Sequence, residues 1–379
     1  MIGQAYASSV PQGLLRRGAT VRSRSASGIL PASLNFSPPA EPQVNPREHQ
    51  DMKVLVVGGA GYIGSHMVQD LLDAGHIPVT LDSLVTGHRD AVLGGVFQQG
   101  DLADRPMLDN MFQTHEIDAV MHFASFIQVG ESVRAPGMYY LNNFANTLNL
   151  LDAMAKAGVK RFIFSSTAAI FGEPQSSVID ERHPQQPINP YGASKQMVER
   201  ALVDFERAYG IRYVCLRYFN AAGAHPNGLI GERHDPESHL VPLVLQVASG
   251  RRSHITVFGR DYETPDGSCI RDYVHVLDLC QAHRLALDWL MQGGASAAFN
   301  LGNGNGFSVL EVIRAAEKVT GRKLKMEDGP RRSGDPARLV ADSHLIRHHL
   351  RWLPAYSDLE TIVKHAWAWE NRAPKTHAQ

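Results

Sequence analysis

The sequence predicts an α/β fold in which a doubly wound parallel sheet carries a smaller, mixed C-terminal lobe. Three observations predict it. Short apolar runs alternate with stretches of helical spacing from Lys53 to Leu216, a glycine-rich turn follows the first run, and the alternation stops after Asn220 and returns once near Ala298. Strands alternating with helices bury a parallel sheet under helices on both faces.

The elements follow in order. Lys53–Val57 is an apolar run closed by Gly58-Gly59, and Tyr62–Ala74 has apolar positions at helical spacing. This is strand, turn and helix. Ile77–Leu81, ending at Asp82, and Val96–Gln99, ending at Gly100-Asp101, are the next two strands. Ala119–Phe123 is a fourth, followed by a long helical stretch from about Ser132 to Ala157. Phe162–Phe164 gives a fifth strand, Tyr191–Tyr209 a helix and Tyr213–Leu216 a sixth strand. From Asn220 to about Gly267 the texture is that of long loops rich in Pro, Gly and His, where a second lobe is expected to begin. The helix Leu277–Leu290 and the strand Ala298–Leu301 read as a return to the first lobe, and Gly304 to about Asn371 as helices with one short strand. The expected division is an extension over 1–51, a Rossmann-type domain over 52–222 with 273–303 returning to it, and a second lobe made of 223–272 and 304–372. No repeats or coiled-coil heptads are visible.

Composition narrows the function classes. With 379 residues, 44% of them hydrophobic, the chain can bury a large core and suits two lobes. Its 37 Lys and Arg nearly cancel 38 Asp and Glu, so no overall basic field draws in a nucleic-acid backbone. No run reaches the roughly 18 apolar residues of a membrane span, so no membrane partner is expected. Cys215, Cys269 and Cys280 form no CxxC pair and read as buried thiols of a reducing compartment, the cytoplasm. Before Glu41 the chain has no acid but carries Arg16, Arg17, Arg22 and Arg24 among Pro, Ser and Ala, a composition that predicts disorder. Such a leader fits an organelle address or a non-structural extension ahead of Met52.

Gly58-Gly-Ala-Gly61-Tyr62-Ile63-Gly64 stands between a strand and a helix, where glycines let the backbone approach a pyrophosphate and the helix offers free N–H groups. Asp82, closing the second strand, is placed to bind an adenosine ribose and to repel a 2′-phosphate, which favours NAD over NADP. Asp101 is a candidate adenine contact or an ordinary turn aspartate.

Tyr191 and Lys195 stand four residues apart, on one side of a helix. Lowering a tyrosine from about 10 toward 7 requires roughly 4 kcal/mol of preferential phenolate stabilisation. A neighbouring lysine and a cationic nicotinamide push that way, so Tyr191 is a candidate general base. Ser165-Ser166-Thr167, at the carboxyl end of the fifth strand, supplies hydroxyls where ligands of such sheets sit. His344 and His348 have metal-helix spacing but no accompanying glutamate or cysteine, and none of the 18 histidines is expected to bind metal.

Together these motifs resemble the extended short-chain dehydrogenase/reductase family, and more closely its UDP-galactose 4-epimerases. The resemblance runs from Met52 to about Glu370 and adds His122-Phe-Ala124, Val129-Gly-Glu-Ser132, Leu216–Gly223, Arg271-Asp-Tyr-Val-His275 and Arg331–Asp335. It implies that Tyr191 is the base, Lys195 holds the nicotinamide ribose and Thr167 binds the sugar 4-hydroxyl. NAD would be contacted by Gly58, Gly61, Tyr62, Ile63, Gly64, Asp82, Asp101, Leu102, Phe123, Ala124, Asn142, Lys195 and Tyr218. UDP would be contacted by Asn220, Phe258, Arg271, Arg332 and Asp335. Some members carry a lysine near the nicotinamide where this chain has Ile127. Arg271 and Arg332 also suit a diphosphate on general grounds, being planar and permanently charged. A homodimer packed through Ser132–Ala157 and Tyr191–Tyr209 is implied as well.

Related dehydratases carry Asp-Glu after the threonine, where this chain has Ala168-Ala169, so the expected reaction is hydride return rather than water elimination. The expected substrates are UDP-glucose and UDP-galactose; the alternatives are UDP-N-acetylhexosamines, UDP-pentoses and a non-catalytic NAD-binding regulatory role. Leu339, four residues after Asp335, matches the position that limits the sugar's 2-substituent, or else is an ordinary core leucine.

Overall fold

The computed structural model of the chain describes residues 51–332 and 335–372. The expected N-terminal extension lies, apart from Asp51, outside the described residues, as do Ser333 and Gly334.

The first half alternates as the apolar pattern requires. β1 (Lys53–Val57), α1 (Tyr62–Asp73), β2 (Ile77–Asp82), β3 (Val96–Gln99), α2 (Arg105–His115) and β4 (Ala119–His122) come first. The expected single helix after β4 is instead broken into α3 (Val129–Arg134), α4 (Pro136–Tyr139), a π-helical segment (Tyr140–Ala145) and α5 (Asn146–Ala157). The break falls at Ala135, whose φ of −131° leaves the helical region before Pro136, a residue with no N–H to continue the ladder. β5 (Arg161–Thr167), α6 (Pro190–Tyr209) and β6 (Arg212–Tyr218) follow, both strands longer than their apolar cores suggest. α6 starts where the Asn189 side chain accepts the Gly192 N–H at 2.8 Å and ends at Gly210, whose φ is +70°.

The remainder is β7 (Asn220–Ala222), α7 (Leu240–Ser249), β8 (Ile255–Phe258), β9 (Ile270–Arg271), β10 (Tyr273–His275), α8 (Val276–Met291) and β11 (Ala297–Leu301). Then come β12 (Phe307–Ser308), α9 (Val309–Thr320), β13 (Met326–Gly329), β14 (Arg338–Leu339), α10 (His344–Leu350) and α11 (Leu359–Arg372). Two expectations are corrected. The stretch read as loops between Asn220 and Gly267 contains α7 and β8, and the stretch after Gly304 holds three short strands, not one. Strands of two residues, such as β12 and β14, leave no alternation to read.

The main sheet is parallel with strand order β11-β6-β5-β4-β1-β2-β3. From β1 the chain winds outward through β2 and β3, then returns to β4 on β1's other side. That reversal opens a crevice at the carboxyl ends of β1 and β4. Val54 and Val56 pack on one face with α1, α8 and the Ile346, Leu350 and Trp352 side chains. Leu55 and Val57 pack on the other with α2, α5 and α6. Each such buried side chain stabilises the fold by about 1.5–3 kcal/mol. The segment from α10 to Trp352 thus belongs to the core under the main sheet, although it was expected in the second lobe. The second lobe's own core joins α7, α9, α11 and β8.

Asp272, fully buried between β9 and β10, fastens the small strands to the main sheet. Its carboxylate accepts the backbone N–H groups of Asn303 at 2.6 Å, Gly304 at 3.1 Å and Ala341 at 3.2 Å. Its carbonyl accepts the Asn220 N–H at 3.1 Å. Asp272→Ala should leave the buried Asn303 and Ala341 donors without partners and cost at least about 2 kcal/mol, read as a lower midpoint in urea unfolding.

Candidate active site

The first βα turn is held by contacts that exclude side chains. Gly58 has φ +80°, and a Cβ there would lie 2.5 Å from the Ala124 nitrogen; at Gly64 it would lie 2.1 Å from the Gly58 oxygen. Glycine is therefore required at both places. Gly61 caps α1 without any side-chain hydrogen bond, leaving the first-turn N–H groups free of side-chain caps, with Tyr62 and Ile63 as the first helical residues. Asp82 is buried at the end of β2, and its carboxylate accepts the N–H groups of Ala60 at 2.9 Å and Leu84 at 2.8 Å. It shapes the turn through both contacts. This cradle fits a dinucleotide.

Phe123 and Ala124 both donate their N–H to the Val57 carbonyl, which brings the exit of β4 against the glycine turn. Asp101 is exposed and accepts the Ala103 N–H at 2.8 Å, as a turn aspartate does, while Leu102 is buried in the core. Asn142 lies in the π-helical segment and donates to Asn143 Oδ1 at 2.9 Å. Asn143, which the sequence reading passed over, is fully buried; it accepts the Phe126 N–H at 2.8 Å and donates to the Phe126 carbonyl and Ser194 Oγ. It joins the loop after β4 to α6. Ile127 stands exposed in that loop.

Lys195 is 3% exposed. Its ammonium donates to Ser125 Oγ at 2.6 Å and to the Ser165 carbonyl at 2.9 Å, and sits 4.8 Å from the centre of the Phe164 ring. Burial pushes its pKa down to about 7, against the upward pull of Glu199 one helical turn on. Glu199 is itself paired with Arg217 at 2.5 Å and accepts Ser166 Oγ at 2.6 Å, all buried. Neither Glu199 nor Arg217 is expected at the site from the sequence; Glu199 stands four residues after Lys195, a spacing that alone reads as a surface pair, and Arg217 lies far along the chain on β6. Tyr218, at the end of β6, shares a hydrogen bond with Ser165 Oγ.

Tyr191 lies one turn before Lys195, with the Thr167 hydroxyl against its phenol. Burial pushes the phenol pKa up, and the Thr167 hydrogen bond draws it back only partly. In the cofactor-free chain desolvation dominates at the tyrosine, and the Lys195 ammonium is bonded to Ser125 and Ser165. Thr167 also accepts the Ala169 N–H at 3.2 Å, opening the 3-10 turn Ala168–Ile170.

In the second lobe, Arg271 pairs with Asp335 and donates to the Ile270 carbonyl at 2.7 Å. The Arg332 guanidinium lies 4.1 Å over the Phe258 ring, so two of the expected UDP contacts are stacked on each other. Asn220 donates through Nδ2 to the Asp272 carbonyl at 2.9 Å and lines a cleft with His239, Leu240 and Tyr273. Leu339 packs with Ala168, Ile170 and Phe171, the residues that follow Thr167.

His344 and His348 stack with ring centres 6.2 Å apart. Among the described residues, the group able to hold a metal is a different one, Glu232, His234, Glu237 and His239. Its Glu-x-His-x-x-Glu-x-His spacing matches none of the usual metal motifs, and from the sequence no metal ligands are expected there.

Lys195 gives a stability signature. Its folded-state pKa of about 7 lies below the ordinary 10.5, so between these values the unfolded chain holds the extra proton. The stability this group contributes is thus complete above the upper value and lost as pH falls through the lower. From about pH 7 to about pH 9.5, the cofactor-free wild type should gain about 1 kcal/mol or more relative to Lys195→Met, measured by urea unfolding.

Comparison with known proteins follows the same lines. Residues 54–302 match the model of the NAD dependent epimerase/dehydratase family. A UDP-glucose 4-epimerase of Halalkalibacterium halodurans is 53% identical over 323 residues, 85% of this chain and 97% of that protein. The crystal structure of UDP-glucose 4-epimerase from Brucella ovis in complex with NAD superposes with a TM-score of 0.82 at 47% identity, covering 83% of this chain and 97% of that one. The UDP-Glc/GlcNAc 4-epimerase of Campylobacter jejuni does so with a TM-score of 0.75 at 44% identity, covering 84% and 99%. With the glycine cradle, the parallel sheet and the Tyr191/Lys195 helix in place, the chain belongs to the NAD dependent epimerase/dehydratase family.

Proposed function

We propose that this chain is a UDP-glucose 4-epimerase, an isomerase that interconverts UDP-glucose and UDP-galactose with NAD as its cofactor. The observation that carries the choice of reaction lies beside Tyr191. The turn after Thr167 is Ala168-Ala169-Ile170, packed among apolar side chains, so no carboxylate stands there to eliminate water from an oxidised sugar. The names of relatives such as those of H. halodurans and B. ovis support the same reading.

When bound, NAD would supply the hydride acceptor and donor that sugar carbon 4 needs. Gly58, Gly61 and Gly64 would let it approach α1, with Asp82 at its ribose and Phe123, Ala124, Asn142 and Tyr218 along its length. Tyr191 takes the proton from the 4-hydroxyl as carbon 4 is oxidised and returns it on reduction of the other sugar face. Thr167 holds the same oxygen. Burial raises the free phenol, and the nicotinamide's positive charge would draw Tyr191 back down. Lys195 would hold the nicotinamide ribose. Arg271, Arg332, Asp335, Phe258 and Asn220 would grip UDP and leave the sugar free to turn.

The enzyme is a homodimer in this reading. Val133 and Leu141, 62% and 66% exposed, stand with Val129, Met138 and Met197 as apolar side chains on α3, α4, the π-helical segment and α6. A second copy would cover them. The cytoplasm as compartment is supported by three cysteines that are all unpaired and buried. No helix among the described residues is long and apolar enough to cross a membrane.

Tyr191→Phe keeps the ring and removes the base; turnover of UDP-galactose should fall by about 10² to 10⁴ while NAD stays bound. Near-normal turnover with bound NAD would remove Tyr191 from this role. Leu339, packed on the residues after Thr167, is proposed to limit the sugar's 2-substituent, with N-acetylated sugars turned over slowly. Leu339→Tyr should abolish N-acetyl activity and Leu339→Ser raise it, each against an overlap cost of about 1–3 kcal/mol. An unchanged ratio of the two activities in both variants would show that Leu339 does not gate the sugar.

A further inference from the structure

We propose that Glu232, His234, Glu237 and His239 form a binding site for one divalent transition-metal ion of the zinc class. The four lie in the segment between β7 and α7, within eight consecutive residues. Their ligand atoms, one from each side chain, lie within 4.8 Å of one another.

The spacing suits a small four-coordinate ion. Ligands at about 2.0–2.1 Å from a tetrahedral centre stand about 3.3 Å apart. Here His234 Nδ1 is 3.2 Å from Glu232 Oε1 and 3.6 Å from Glu237 Oε1, and His239 Nδ1 is 3.6 Å from Glu237 Oε1. The contact of His239 Nδ1 with Glu232 Oε1, at 2.5 Å, would lengthen on binding, within a group whose ligand atoms span at most 4.8 Å. The carboxylates are largely withdrawn from solvent, with the side chains of Glu232 and Glu237 only 4% and 6% exposed.

Two features point to a ligand rather than to an ordinary ion-pair cluster. His234 Nδ1 is buried and, although close to both carboxylates, makes no hydrogen bond of acceptable geometry. The two carboxylates engage it electrostatically, and an ion seated among all three would replace poorly aligned contacts with directed bonds. The donors are also fixed in place. Glu237 Oε1 accepts the N–H groups of Ser238 at 2.8 Å and His239 at 2.9 Å, the Glu232 carbonyl accepts Trp369 Nε1 at 2.9 Å, and the Tyr62 ring packs edge-on to His234 at 6.3 Å. Such second contacts orient first ligands at metal centres. Two imidazoles with two carboxylates select zinc, cobalt or nickel over magnesium or calcium, which prefer oxygen alone. Two carboxylates balance the ion's charge, and both histidines would be neutral.

The site also has a place in the molecule. Tyr62 opens α1 beside the glycine turn, and His239 lines the cleft that contains Asn220. An ion there would tie the segment before α7 to both, so its main effect should be on the rigidity of this wall.

The test uses tag-free, full-length, NAD-loaded protein freed of metals by a chelator, and CoCl2 and ZnCl2 as probes. Binding of one Co2+ per chain, with the intense visible absorption of a four-coordinate ion and two exchangeable, paramagnetically shifted imidazole N–H signals, is the expected result. Zn2+ should displace the Co2+ and raise the melting temperature. His234→Ala and Glu237→Gln should each weaken Co2+ binding at least about ten-fold. Failure to bind Co2+ stoichiometrically, or binding of equal strength in both variants, would overturn the proposal. NAD content and melting of the variants check their folding; should either fail to fold, the wild-type spectra decide, and a spectrum without two imidazole ligands rejects the site.

Discussion

A lysine ammonium held almost out of water is the constraint around which the catalytic half of the molecule is arranged. Lys195 projects from α6 across to the end of β5 and the loop after β4, and donates to Ser165 and Ser125 there. Burial works against its charge, and the surrounding structure supplies what opposes that: two oxygens, the Phe164 ring face and the Glu199 carboxylate one turn away. Glu199 in turn would be an unpaired buried charge without Arg217 on β6. The ammonium therefore draws β4, β5, β6 and α6 into one polar cluster at the carboxyl edge of the sheet. Tyr191, one turn earlier on the same helix, is positioned as a consequence.

The opposite edge of the crevice is set by contact distances rather than charge. Gly58 and Gly64 allow the turn after β1, the start of α1 and the exit of β4 to meet without side chains between them. Asn143 then carries that arrangement to α6, because its amide bonds both to the loop after β4 and to Ser194. The π-helical segment matters here. Its wider turn shifts the phase of the helix that carries Asn142 and Asn143, and Asn143 faces inward where regular spacing would not have called for a buried amide.

These two kinds of constraint explain what was legible in the sequence. The succession of strands and helices in the first lobe, the glycine turn and the Tyr191/Lys195 spacing are local patterns, since period, φ and i, i+4 geometry are written in neighbouring residues. The positions of β7, β9, β12 and β14 were not, because two- or three-residue strands exist only through their partners. α7 was missed because Pro242 and the preceding His- and Pro-rich segment read as loop, although a proline in a helix's first turn removes no needed N–H. Asn143, Glu199, Arg217 and Asp272 were missed for a common reason: each is a buried polar group whose partner lies far away in sequence. The raised phenol of Tyr191 belongs with them, since desolvation depends on packing that neighbouring residues do not encode.

The second lobe ties the residues proposed to meet the two ends of a substrate to one another more tightly than its loose texture suggests. β14 pairs with β9 so that Leu339 lies opposite Arg271, and residues opposite one another in a ladder share a face. Leu339 reaches the apolar residues after Thr167, whereas Arg271 is paired to Asp335. The Leu339 carbonyl accepts the Asp272 N–H at 3.1 Å, and the Asp272 carboxylate holds the loop after β11. A single two-residue ladder thus fixes the separation between the expected sugar wall and the expected diphosphate clamp. The proposed cycle requires this kind of rigidity: if only the sugar is to turn, the proposed clamp has to stay in register with the wall that carries Thr167 and Tyr191.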